Sequence, residues 1–300
     1  MNSKLTEQKL AEAKEKAKLF ALDYDGTIFD GQEHGWEEAR RLMQRIIKAE
    51  KYLAIITARA ATAVKMILPS INKLYQNEKV KIPSFVAGAN GTVLYEIKKD
   101  QLNTIYNHGL NFEELENLVK VWQKVYNELG IENTQLNSKG REIFRDLLKQ
   151  DWTGFVDSKI IDLSHPYDNA IFTEEAKMSF ILPQQVEHHK DVINAVQESV
   201  GDKYQVMASD SITAHITKKL SEDSKLVAVK SIMELLNIKE NQVVSFGDMP
   251  HGNDTGLLSF PYSFTNYQGD KESGGPPFVL SIKDQSPVAV VHQAINYLLD

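Results

Sequence analysis

Four short apolar runs in this chain each stop abruptly at a polar cluster. That punctuation constrains the fold more than any other feature. Leu19 to Leu22 ends in Asp23-Tyr24-Asp25-Gly26-Thr27, and Leu53 to Ile56 ends in Thr57-Ala58-Arg59. Phe85 to Ala87 ends in Gly88-Ala89-Asn90-Gly91, and Val243 to Phe246 ends in Gly247-Asp248. Short continuous apolar runs bounded by turn residues suit strands buried on both faces. Between them, apolar residues recur at helical spacing: Trp36, Ala39, Met43, Ile46 and Ile47, then Val64, Ile67, Leu68, Ile71 and Leu74, with Pro69 bending or ending the second helix. Strand alternating with helix, joined by right-handed crossovers, predicts a parallel sheet. Further expectations are a polar surface helix over 4–18, a last buried strand at Tyr262 to Thr265, a turn-rich loop at 269–277 and a closing helix over 286–299.

The middle of the chain reads differently. Phe112, Leu115, Leu118, Val119, Trp122 and Val125 mark an amphipathic helix, Lys177 to Leu182 a strand, and 184–199 another helix. Tyr204 to Ala208 and Ser211 to Thr217 read as strands around a short turn. In the second, Ile212, Ala214 and Ile216 alternate with polar residues, which predicts one wet face. The expected fold class is therefore α/β: a Rossmann-like parallel-sheet core domain with an inserted α+β cap domain. The core is assigned 1–97 and 219–300, with 1–18 as a helical extension, and the cap 98–218. A chain of 300 residues agrees with two domains of about 150 residues as a prior.

Composition removes several function classes. The net charge of −7 argues against nucleic acid or an anionic membrane as partner. The absence of cysteine excludes disulfides, thiolate catalysis and cysteine-ligated metal centres. No apolar run reaches the roughly 18 residues of a membrane span, and the first 18 residues do not read as a secretory signal. The expectation is a soluble cytoplasmic protein, a monomer or small homo-oligomer, whose partner is a small-molecule phosphate ester.

In a parallel sheet the carboxyl ends of the strands share one edge, and ligands bind in the crevice outside it. Asp23/Asp25, Thr57, Asn90 and Asp248 should therefore converge. Asp23 and Asp25 are two apart on an extended segment and can face one side. Such a pair can divide labour, one carboxylate attacking and the other carrying a proton. Gly26 and Thr27 permit a tight turn whose N–H groups hold phosphate oxygens. Asp248 adds an oxygen ligand for Mg²⁺, Thr57 a hydroxyl donor, and Lys225 at a helix start a cation.

These motifs, in this order, resemble the haloacid dehalogenase superfamily of phosphohydrolases. Asp23 to Thr27 matches its first motif, Thr57 its second, Lys225 with Ala228, Ile232, Leu236 and Ile238 its third, and Gly247-Asp248 with Asn253-Asp254 its fourth. Ala89-Asn90-Gly91-Thr92 and Lys177 to Phe180 are similar to elements of the members with a large α+β cap, the Cof-type and sucrose-phosphate-phosphatase-like group. The resemblance implies that Asp23 attacks phosphorus to form an aspartyl-phosphate. Asp25 then protonates the leaving oxygen and later deprotonates water. It implies Mg²⁺ held by Asp23, Asp248 and the main-chain carbonyl of Asp25, with Asp254 acting behind it. Thr57 and Lys225 would stabilise the phosphoryl group. Substrate contacts would come from Gly26, Thr27, Arg59, Asn90, Gly91, Lys177 and Asn253, and the favoured substrate would be a sugar phosphate.

Two departures stand out. Four residues, Met249 to Gly252, separate the Gly-Asp and Asn-Asp pairs where the family has two, so displacement of Asn253 and Asp254 is expected. Ala58 replaces the usual glycine of the second motif. Simpler readings also stand: Lys177 as a solvated strand residue, Asn90 as a turn residue, Arg59 as a surface residue and His251 as part of a structural turn. Lys218, Lys219 and Lys230 compete with Lys225. Two other functions remain open, a phosphomannomutase-like phosphotransferase and a catalytically silent phosphosugar-binding protein.

Overall fold

The structure is a computed structural model. It describes residues 4–31, 35–60, 67, 71, 82–98, 101–149, 169–174, 176–208, 212–267, 269 and 275–300. Contacts divide the chain into two units, Met1–Tyr106 with Glu222–Asp300, and Asn107–Ser221.

The larger unit is built on strands β1 (Leu19–Leu22), β2 (Tyr52–Ile56), β3 (Ser84–Gly88), β4 (Val93–Lys98), β5 (Gln101–Asn107), β10 (Val243–Gly247), β11 (Tyr262–Thr265) and β12 (Phe278–Val279). They form one eight-stranded sheet in the order β12-β11-β10-β1-β2-β3-β4-β5. The pairs from β12 to β3 are parallel, and β4 turns back antiparallel on β3. β1 lies between β2 and β10, so all four of its residues are buried. Helix α2 (Gly35–Lys48) turns Ala39, Leu42, Met43, Ile46 and Ile47 inward, as its 3.6-residue period requires.

Four features differ from expectation. Helix α1 (Lys4–Lys16) is more than a surface extension. Leu10 and Ala13 are buried in the same cluster as Val290, Val291 and Ala294 of the closing helix α7 (Pro287–Leu299). Residues 98–106 belong to the larger unit rather than the insert, because β5 extends the sheet beside β4. Tyr262–Thr265 is not the last strand, since the two-residue β12 pairs with it. The helix expected around Val64, Leu68, Pro69 and Leu74 falls outside the described residues, although Ile67 and Ile71 are helical and buried.

The smaller unit carries α3 (Phe112–Glu128), α4 (Ser138–Leu148) and α5 (His189–Val200). Its strands β6 (Ile171–Glu174), β7 (Lys177–Ile181), β8 (Tyr204–Ala208) and β9 (Thr213–Lys218) form an antiparallel sheet ordered β6-β7-β9-β8. An Asn111/Glu114 capping box starts α3, satisfying otherwise orphaned N–H groups. Trp122, Tyr126, Phe180, Val192, Val196 and Ile216 form its core. The expected wet face of β9 is not wet: Thr213, His215 and Thr217 are all buried. Their polar groups are accommodated in part within the sheet, where Ser179 Oγ and His215 Nδ1 of paired residues lie 2.9 Å apart.

Candidate active site

Asp23 follows β1 and Asp248 follows β10, and these strands are parallel neighbours, so both carboxylates emerge at one sheet edge. The start of helix α6 (Ser224–Leu236) brings Lys225 to the same place. Asp223 caps that helix by accepting from the N–H groups of Lys225 and Leu226. The Lys225 side chain is almost wholly buried. Its Nζ donates to Asp23 Oδ1 at 2.7 Å and to Asp254 Oδ1 at 2.5 Å. The competing cations are engaged or exposed: Lys218 pairs with Glu114, Lys230 pairs with Glu222, and Lys219 is exposed.

Asp254 is not displaced by the longer spacer. The extra residues form a turn in which Gly252 and Asp254 donate backbone N–H groups to the Met249 carbonyl. Asp254 stays fully buried. While one oxygen takes Lys225, the other accepts the backbone N–H groups of Asp248 and Met249, both at 3.0 Å. It thus fastens the lysine helix to the end of β10. Asn253 is half-buried beside it, and its Oδ1 has no hydrogen-bond partner among the described residues.

Oxygen atoms of Asp23, Asp248 and Asp254 lie within 4.8 Å of one another. Burial, then the Asp254 carboxylate, pushes Asp23 well above the ordinary carboxylate range, against the opposing pull of Lys225. Burial and Asp254 likewise raise Asp248 to about 7. For Lys225, burial favours the neutral amine, but Asp23 and Asp254 outweigh it and raise the ammonium's pKa. Three crowded carboxylates face one ammonium. All are hard oxygen donors, so the set fits a divalent cation such as Mg²⁺. Asp254 is the most committed of the three, fully buried and accepting three hydrogen bonds.

The remaining candidates divide. Gly26 adopts a positive φ of 76°, and a Cβ there would run into the Asp248 carboxylate. Thr27 is buried and its Oγ1 donates to Asp23 Oδ2 at 3.2 Å. Thr57 is buried at the end of β2, its hydroxyl accepting the Arg59 N–H. Ala58 does not adopt a positive φ. Arg59 is no plain surface residue: its Nε and Nη2 donate to the two Asp25 oxygens at 2.7 and 2.6 Å. Asn90 is buried in a left-handed conformation. Its backbone N–H reaches the Thr57 carbonyl, and both its side-chain amide atoms lack a partner among the described residues. A Cβ on Gly91 would collide with the Ser224 carbonyl, so glycine lets this turn touch the start of α6. Lys177 lies in the smaller unit, on β7, and is buried rather than solvated. Asn266 carried no motif, yet its amide donates to the Gly26 carbonyl at 2.9 Å. Its one signal was position, just past a buried strand like the others.

The haloacid dehalogenase-like hydrolase family model matches residues 20–263. A search of curated proteins found no match. Among solved structures, a haloacid dehalogenase-like hydrolase from Bacteroides thetaiotaomicron is similar, with a TM-score of 0.63 and 17% identity, covering 94% of this chain and 99% of that one. A HAD/COF-like hydrolase from Plasmodium vivax gives 0.64 and 17%, covering 97% and 99%. IMP-bound Plasmodium falciparum IMP-nucleotidase gives 0.57 and 11%, covering 97% and 70%. At these identities the likeness is one of fold, and the family match covers most of the chain. This chain belongs to the haloacid dehalogenase-like hydrolase family.

Proposed function

We propose that the chain is a Mg²⁺-dependent phosphomonoester hydrolase acting on a small phosphorylated metabolite of the sugar phosphate class. The observation that carries this reading is the cluster of buried Asp23, Lys225 and Asp254 with half-buried Asp248 at the carboxyl ends of β1 and β10. Lys225 and Thr27 each hold one Asp23 oxygen, which fixes that carboxylate for attack. In the reaction, an Asp23 oxygen bonds to phosphorus and the ester P–O bond breaks. Asp25 gives its proton to the departing alcohol oxygen. Water then attacks the aspartyl-phosphate, Asp25 takes its proton, and phosphate leaves with the Asp23 carboxylate restored. The Thr57 hydroxyl, the Lys225 ammonium and the N–H groups of the turn at Gly26 and Thr27 stabilise the charge on the phosphoryl oxygens. Mg²⁺ among Asp23, Asp248 and the Asp25 carbonyl would offset repulsion between the carboxylates and the anionic substrate.

The test is phosphate release from sugar phosphates, nucleotides and p-nitrophenyl phosphate, with Mg²⁺ and with chelator. The expected result is metal-dependent release that Asp23→Asn abolishes. Full turnover by Asp23→Asn, or none by the parent protein on any ester, overturns the reading. The phosphotransferase alternative is separated by a sugar 1-phosphate in the same assay: a mutase yields the isomer, a phosphatase free phosphate.

A further inference from the structure

The spacer of the fourth motif does more than close a turn. It lifts His251 to an exposed position three residues beyond Asp248. Chain length keeps their Cα atoms within about 11 Å. On the adjacent loop, after β11, Tyr267 is 40% exposed, and its ring meets the His251 ring edge-on, with centroids 5.9 Å apart at 88°. Tyr267 is held in place. Its N–H donates to Thr265 Oγ1 at 3.1 Å, and Gly269 backs its ring so closely that a Cβ there would overlap it. The preceding residue, Asn266, is bonded to the carbonyl of Gly26, which itself abuts Asp248. Both loops leave the sheet edge that carries the catalytic cluster.

An edge-on pair uses one ring face and leaves other ring surface open. Here His251 is exposed and Tyr267 partly so, and hydrogen bonds at Met249, Thr265 and Asn266 hold the chain on either side of them near Asp248. Aromatic surface of this kind takes the flat side of a ring, whereas an open-chain polyol offers no rigid face and loses more freedom on binding. We propose that His251 and Tyr267 form the leaving-group subsite and select phosphate esters of ring-shaped alcohols, a cyclic sugar or a nucleoside, over open-chain ones. This rests on the phosphomonoesterase reading and adds the class of alcohol.

The experiment compares kcat/KM for glucose 6-phosphate with that for sorbitol 6-phosphate, which has similar polarity and charge but no ring. Adenosine 5′-monophosphate, run beside ribose 5-phosphate, tells a base-directed contact from a sugar-directed one. The parent protein should favour the ring-bearing ester. Tyr267→Ala should raise KM for it about tenfold, as loss of a stacking contact does, with kcat and the sorbitol ester little changed. Tyr267→Phe should restore the preference. Equal loss on ring and chain esters, or no change on ring esters, overturns the proposal. If no ester is hydrolysed at all, the phosphomonoesterase reading fails separately. Calorimetric binding of the same esters to Asp23→Asn then decides the subsite: a ring preference that Tyr267→Ala removes supports it, and equal binding of ring and chain overturns it.

Discussion

The two sheets of this protein both bury polar side chains, but they put them in different places. The eight-stranded sheet holds only small hydroxyls in the interior of its central strands, Ser245 bonded to Ser263 among them, and sets Asp23, Thr57, Asn90, Asp248 and Asn266 just beyond the strand ends. The four-stranded sheet carries polarity along its strands, at Lys177, Ser179, Thr213, His215 and Thr217. The first arrangement concentrates charge at one edge, where Lys225 stands among three carboxylates. The second pairs groups across strands, as Ser179 and His215 do. Polarity past a strand end builds a centre for a charged ligand. Polarity within a strand is chiefly a matter of local satisfaction.

That contrast can be tested, beginning with the largest effect. Asp23→Asn should lower kcat by on the order of 10⁶-fold, as removal of a nucleophile does. It should leave the thermal midpoint unchanged or higher, because it removes one of three crowded carboxylates; a large drop in the midpoint would show that the edge cluster stabilises the fold. Lys225→Met takes away the ammonium between two buried carboxylates. Leaving such charges uncompensated costs about 3–5 kcal/mol, read by denaturant unfolding, and added Mg²⁺ should recover part of it. Failure of Mg²⁺ to recover any would argue against a cation at this edge.

The four-stranded sheet should answer to pH instead. Burial, then Lys177, holds the His215 pKa well below its usual 6.5. The folded state therefore takes up a proton less readily than the unfolded chain. The corresponding stability is full above about pH 6.5 and declines as pH falls below it. His215→Gln should flatten the midpoint between pH 6.5 and 5; an unchanged slope would assign the dependence elsewhere. The smallest effect is at Glu114. Burial opposes its ionisation, but hydrogen bonds from Lys203, the Asn111 N–H and Lys218 bring it down to about 2. Its contribution is present above about pH 4.5 and lost as pH falls toward 2. Glu114→Gln should remove that acid sensitivity and little else.

The same contrast sets what the sequence could reveal. Asp23, Thr57 and Asp248 were legible because a continuous apolar run that stops at a carboxylate or hydroxyl fits the end of a buried strand and little else. Residues that act through distant partners were not. Nothing local tells that Arg59 grips Asp25, that Asn266 reaches Gly26, or that Asp254 remains buried across a longer spacer. Edge and short elements were also hidden. β5 is largely exposed and polar, and β12 has two residues, too few for any period to appear. In β9 the alternation was read correctly, but its meaning was not, since periodicity reports polarity and not exposure.

The position of β1 has a consequence for how this protein is made. Its partner on one side, β2, leaves the ribosome soon after it, but its partner on the other, β10, ends at Gly247. At bacterial or eukaryotic synthesis rates that gap lasts on the order of ten to forty seconds. Throughout it the central strand has an open flank, and for most of it Lys225 has yet to be made. The inserted unit, complete by Ser221, is synthesised within this interval. The strand at the centre of the sheet is thus made long before its second flank can be covered.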